Sequence, residues 1–144
     1  MSAFTQKDNP LGRYLANGKD FQLFENLVYH VGEKGSDEVI VVPSGSVTDW
    51  ASIPKIIQPL LPNTYGKRAA VIHDYLYRTS GLGGLYSRKR CDEIFLEALI
   101  VLEVPKAVAY ALYNGVRIGG WKHWNSYKRK ANKEQQHNED SPNY

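Results

Sequence analysis

The chain has 144 residues, 42% hydrophobic and 23% charged, with 18 basic against 15 acidic side chains and a formal net charge of +3. This is the size and mixture of one soluble globular domain able to bury a core, and the slight positive balance is no strong signal for nucleic acid. A lone cysteine, Cys91, excludes an intrachain disulfide and suits a reducing cytosol; no apolar run approaches the roughly 18 residues of a membrane span, and no signal-peptide core opens the chain.

Residues 1–19 are polar and interrupted by Pro10, Gly12 and Gly18, which marks an N-terminal arm. Strand patterns follow over 21–24, continuing through 27–31, and over 38–43 after a turn at 32–37. A third short strand near 46–48 completes a small antiparallel sheet. His30 alternates with Tyr29 and Val31 and reads as a sheet-face residue.

Residues 48–54, Thr-Asp-Trp-Ala-Ser-Ile-Pro, join sheet to helices. Thr48 or Asp49 can accept backbone N–H groups at the turn, Trp50 and Ile53 can anchor it on apolar surface, and Pro54 and Pro59 restrict the path. The segment is therefore a rigid corner, or else it sets Asp49 or Ser52 beside His73. In that position Asp49 could be a second carboxylate for a cation, and Ser52 could join His73 and Asp92 as nucleophile, base and orienting acid. No G-x-S-x-G elbow surrounds Ser52. A short apolar turn at 55–61, closed by Pro62 and Asn63, leads to a helix expected over 65–78.

At about 3.6 residues per turn, Ala69, Ile72, His73, Leu76 and Ser80 share one face, so His73 lies in the apolar stripe. A buried imidazole needs a partner on each nitrogen, and a carboxylate from another helix would hold it as a general base. Asp92 is the candidate, and Tyr77, one turn after His73, could donate to it. Asp74 points about 100 degrees away on the same helix geometry. It could bind a divalent cation or accept from Arg78 at i+4.

The loop over 79–86 holds Gly81, Gly83 and Gly84, which permit positive-φ backbone and could move over a site; the phosphate-loop pattern is absent. Ser87 is a fitting N-cap for a helix over 88–103, whose apolar stripe of Cys91, Ile94, Phe95, Ala98, Leu99 and Leu102 puts Asp92 at its edge. Arg88 at i−4 is a competing partner for Asp92. A further helix over 105–117 starts at Pro105 and carries Gly115 for close approach. Trp121, Trp124 and Tyr127 interleave with Lys122, His123, Lys128, Arg129 and Lys130; they either cover the core with the cations in solvent or meet a partner or membrane. Residues 131–144 read as a polar, flexible tail. His30, His73, His123 and His137 are too scattered for a zinc set.

Two resemblances enter at these residues. His73-Asp74 with Tyr77 at i+4, then Cys91-Asp92 opening a later helix, resembles the secreted phospholipase A2 pattern over roughly residues 69–95. It implies His73 as the base, Asp92 as its orienting acid, Tyr77 as the supporting phenol, Asp74 as a calcium ligand and phospholipid as substrate. The chain departs from that pattern in having one cysteine and in placing its glycine-rich loop after the His helix. The blocks 48–54, 73–77 and 87–95 together resemble an uncharacterised family of small bacteriophage and prophage proteins, the domain of unknown function numbered 1353. That likeness implies a viral or prophage origin and supplies no agreed activity; synthesis in the host cytoplasm and association with the virion are the expectations for a protein of that origin.

The expected architecture is α+β: a small N-terminal antiparallel sheet packed with a C-terminal bundle of at least three helices, forming a single domain over 20–130. The expected function is a cation-assisted ester hydrolase with His73, Asp92 and Tyr77 as catalytic residues and Asp74 and Asp49 holding calcium or another divalent cation. The competing expectation is a noncatalytic virion or assembly component, partnered by a phage structural protein, in which the same network is structural.

Overall fold

Phe21, Leu23, Leu27, Tyr29, Ile40 and Val42 are buried, alternating along their strands with more exposed neighbours, the period-two pattern of sheets that cover a core on one face. In the computed structural model, which describes residues 3–4, 11–32, 36–61 and 66–140, these strands fall into two three-stranded antiparallel sheets. Pro10, residues 33–35, the Pro62-Asn63 closure, Tyr65 and residues 141–144 lie outside the described residues. In one sheet β4 (Leu27–His30) is flanked by β1 (Ala3–Phe4) and β5 (Val39–Val42), with Tyr29 opposite Phe4 and Ile40. In the other, β3 (Phe21–Leu23) is flanked by β2 (Gly12–Tyr14) and β6 (Val47–Thr48).

Two expectations are corrected here. The run over 21–31 is not continuous: the chain leaves the strand after Leu23, exposes Phe24, and re-enters with Leu27 in the other sheet. The arm over 1–19 supplies β1 and β2, with Phe4 in the core. Strands of two or three residues are too short to display alternation, so their pairing is decided by the neighbouring strand. Gly12 shows how close that pairing is: a Cβ there would stand 2.1 Å from the Gln22 carbonyl oxygen.

Helix α1 (Gly66–Arg78) is the centre of the molecule, packed by β5 and β6, by α3 (Arg88–Val101) and by α5 (Trp121–Asp140). It buries far more than one stripe, Arg68, His73 and Asp74 included, because it has neighbours all round. Helix α3 (Arg88–Val101) starts at the expected cap, with the Ser87 hydroxyl oxygen accepting from the Arg90 N–H at 3.1 Å. Helix α4 (Lys106–Gly119) comes so near the 48–61 segment that a Cβ on Gly115 would lie 2.3 Å from Ile57 Cδ1 and one on Gly119 2.8 Å from Pro54 Cγ. The observed α+β arrangement is thus the expected one, antiparallel sheet first and helices after it.

Helix α5 (Trp121–Asp140) carries Trp124 and Tyr127 against the core and then continues, with residues 131–133 exposed. The tail expected from residue 131 is therefore helical as far as Asp140. Once packing has nucleated the first turns, helix-favouring residues such as Lys, Ala, Glu and Gln propagate the helix.

Between α1 and α3 the chain makes one short helical turn of the opposite hand, α2 (Ser80–Gly84), in which φ runs from 52° at Ser80 through 70°, 56° and 74° to 97° at Gly84. Three of its residues are glycines, but Ser80 and Leu82 carry the left-handed conformation with a side chain. Thr79 stabilises the reversal: its hydroxyl donates to the Tyr75 carbonyl at 2.9 Å and accepts from the Leu82 N–H at 3.1 Å. Gly81 is required twice over, by its φ and because a Cβ would meet the Tyr86 carbonyl oxygen at 1.9 Å. Gly81→Ala is expected to lower the unfolding free energy by more than about 2 kcal/mol, measured by urea denaturation, whereas Gly83→Ala, with open space at its Cβ, should cost only about 1–2 kcal/mol.

Candidate functional site

Three segments converge on His73. The corner after β6 brings Ser52, α1 brings His73 and Tyr77, and α3 brings Asp92; Ser52, His73, Tyr77 and Asp92 are each 0% exposed. His73 Nε2 lies 2.7 Å from Asp92 Oδ1, and His73 Nδ1 lies 3.0 Å from Ser52 Oγ. An ionised carboxylate only accepts, so Nε2 carries a proton toward Asp92 and, in the neutral ring, Nδ1 accepts from the Ser52 hydroxyl. Phe95 and Tyr77 pack their rings on the imidazole at 4.7 and 4.3 Å.

Asp92 collects three donors. Tyr77 donates its hydroxyl to Oδ1 at 2.7 Å, joining His73, and Arg117 Nη1 on α4 donates to Oδ2 at 2.8 Å. Burial alone would raise this carboxyl, but the hydrogen bond and charge of His73, with the bonds from Tyr77 and Arg117, outweigh it and hold Asp92 below the usual carboxylate range. The reciprocal effects agree: the bond to Asp92 raises Arg117, while burial, then the charge and hydrogen bond of Asp92, push the Tyr77 phenol far up against a smaller opposing pull from Arg88. Cys91 is driven to about 12 by burial and by Asp92, which leaves it an inert thiol.

The expected contact between Arg88 and Asp92 is not the one formed. Arg88 instead donates to the Tyr77 hydroxyl at 3.2 Å and to the Val116 and Arg117 carbonyls at 3.0 and 2.6 Å, closing the C-terminal end of α4. Arg117 takes the place at Asp92. Nothing in the residue pattern pointed to it, because it follows a buried valine on a helix of its own and its link to Asp92 spans 25 positions.

Among the described residues neither Asp74 nor Asp49 bonds to His73 or Asp92, and Asp74 joins the network at the Ser52 N–H. Asp74 Oδ2 accepts from the Thr48 hydroxyl at 2.6 Å, Oδ1 accepts from the Ser52 N–H at 3.3 Å, and Arg78 Nε stands at 3.7 Å while its guanidinium also donates to the Val47 carbonyl. Asp49 Oδ1 accepts from the Ala51 N–H at 2.9 Å, and Thr48 Oγ1 from the Trp50 N–H at 3.1 Å, so both residues perform the expected turn capping. Burial, with the charges of Asp74 and Asp49, pushes the Tyr127 hydroxyl up to about 12. Among the described residues no group of three or more His, Cys, Asp or Glu side chains is placed to hold a metal ion. The cavity lined by Thr48, Asp74 and Arg78 has a volume of about 10 Å³, room for one water.

Residues 21–116 match the family described as protein of unknown function, DUF1353. The chain belongs to this family. The matched span contains Ser52, His73, Asp74, Tyr77, Arg88 and Asp92 and ends one residue before Arg117. No curated protein and no solved structure matches the chain. No helix among the described residues is long and apolar enough to cross a membrane.

Asp92 carries a pH signature. Its folded carboxyl titrates below the unfolded value of about 3.9, so its stabilisation is complete above that value and is lost as the pH falls through the folded one. Asp92→Asn is expected to cost about 3–5 kcal/mol at pH 7 and to flatten the remaining dependence on acid, read from urea unfolding at pH 7 and pH 3.5.

Proposed function

We propose that this chain is a noncatalytic phage or prophage component, acting in the virion or its assembly, in which the Ser52–His73–Asp92–Arg117 network fastens the sheet-to-helix corner onto the helical bundle. The observation that carries this is the closure of the network: Ser52, His73 and Asp92 are wholly buried, and both imidazole nitrogens and both Asp92 oxygens are already partnered within the chain. A catalytic base has to reach a proton on a substrate or water, and here each acceptor is spent on a neighbour. Such a protein would be made in the host cytoplasm and work through contact with other phage structural proteins.

A hydrolase has one specific observation in its favour. Ser52 Oγ, His73 and Asp92 stand in the order of nucleophile, base and orienting acid, with 3.0 and 2.7 Å between successive partners, and Tyr77 supports the acid as in the phospholipase A2 likeness. Turnover would require the corner over 49–54 to lift. A cation at Asp74, shared with Asp49, would have to displace the Thr48 hydroxyl and the Ser52 N–H that now occupy the Asp74 oxygens.

His73→Gln separates the two. Under the assembly role it lowers stability by about 1–3 kcal/mol, leaves no activity to lose, and reduces incorporation into purified particles of a phage encoding the protein, detected with an antibody. The role is refuted by wild-type hydrolysis of phospholipid vesicles or simple esters, with calcium present, that falls at least about 100-fold in a folded His73→Gln protein. Loss of the same activity in Ser52→Ala would mark Ser52 as its nucleophile.

A further inference from the structure

A second cavity, lined by none of Ser52, His73, Tyr77 and Asp92, lies against Trp124. Between the left-handed turn α2, the start of α3 and helix α5 opens a pocket of about 400 Å³, lined by Ser80, Gly83, Ser87, Trp124, Lys128 and Asn132 among others. That volume suits a small organic ligand. Trp124 forms the wall toward the core, meeting Tyr77 edge-on at 5.2 Å between ring centres.

The pocket is rich in donors, the Ser80 and Ser87 hydroxyls, the Lys128 ammonium and the Asn132 amide, which also brings an acceptor oxygen. The Ser80 Oγ is buried, without accessible surface as the side chain stands, and among the described residues has no hydrogen-bond partner, so a turn about χ1 is what would present it to the pocket. Ser87 Oγ accepts from the Arg90 N–H, which leaves its own proton to give. Lys128 adds an ammonium group, no carboxylate among the described residues lines the pocket, and the Tyr86 hydroxyl is committed to Glu38 at 2.8 Å. An orphaned buried hydroxyl costs free energy, and Ser80 bears this in a left-handed backbone as well, the combination found where a segment is shaped for a ligand.

We infer that this pocket binds a phosphate monoester, with the phosphoryl oxygens accepting from Lys128, Ser80 and Ser87 and the ester's organic body lying on Trp124. One cation with converging hydroxyl donors matches an oxyanion, and the aromatic wall matches an apolar or cyclic group beside it. The site is independent of the role proposed for His73.

The test uses the full chain with phenyl phosphate and glycerol phosphate in titration calorimetry, and phosphatidylcholine vesicles with and without phosphatidic acid in co-sedimentation. Saturable binding at submillimolar concentration is expected, weakened about tenfold or more by Lys128→Gln and unaffected by Lys133→Gln on the same helix, which controls for general positive charge. Ser80→Ala should weaken binding severalfold without lowering the melting temperature of the empty protein, since its hydroxyl has no partner to lose. Binding of the soluble esters identifies a free ligand, and binding only to vesicles that hold phosphatidic acid, still dependent on Lys128, identifies a lipid head group. Absence of saturable binding in every arm, or equal weakening by Lys128→Gln and Lys133→Gln, overturns the assignment.

Discussion

A carboxylate withdrawn from water must have its solvation replaced, and the way this chain replaces it at Asp92 sets the arrangement of its helices. Three donors from two other helices meet on one side chain: His73 and Tyr77 from α1, and Arg117 from α4. Removing any one leaves part of a buried charge uncompensated, so the three helices are held in one mutual position by chemistry as well as by packing. Arg88 adds a second tie, holding the end of α4 to the Tyr77 hydroxyl.

The same network reaches the sheets through the corner. Ser52 offers its hydroxyl to His73 and its N–H to Asp74, while Thr48 at the end of β6 offers its hydroxyl to Asp74. Adjacent residues on α1 therefore receive the corner from two directions, His73 on the core side and Asp74 on the side of β6. Trp50 completes the attachment with positive φ and a ring 5.4 Å from Phe21. In this geometry the constellation ties the two halves of the fold together.

The left-handed turn α2 follows from these ties. Helices α1 and α3 must lie close enough for His73 and Tyr77 to meet Asp92, and the connection between them is short, so the chain has to reverse its hand at once. Glycines at 81, 83 and 84 make the reversal possible, and Ser80 and Leu82 accept strain for it. The turn also forms one wall of the pocket against α5.

Much of this was open to a reader of the residues alone. Helical periodicity put His73 in an apolar stripe and Asp92 at the border of another, and the need of a buried imidazole for an acid joined them before any coordinates did. Tyr77 at i+4, the cap at Ser87, the turn capping by Thr48 and Asp49 and the α+β order of elements are local consequences of side-chain chemistry, legible for that reason. Tertiary structure alone decided the rest. Strands of two or three residues have no period to read, so the arm's part in both sheets depended on what β3 and β4 offered for pairing. Helix α5 outran its polar composition because its first turns were packed. Arg117 took the place at Asp92 that i,i+4 spacing offered to Arg88, since a long guanidinium bonds whatever acceptor the folded chain brings within reach. The closure of the site was likewise a tertiary matter: sequence can place Ser52, His73 and Asp92 near one another, but only the packing of the corner on α1 determines that no water reaches them.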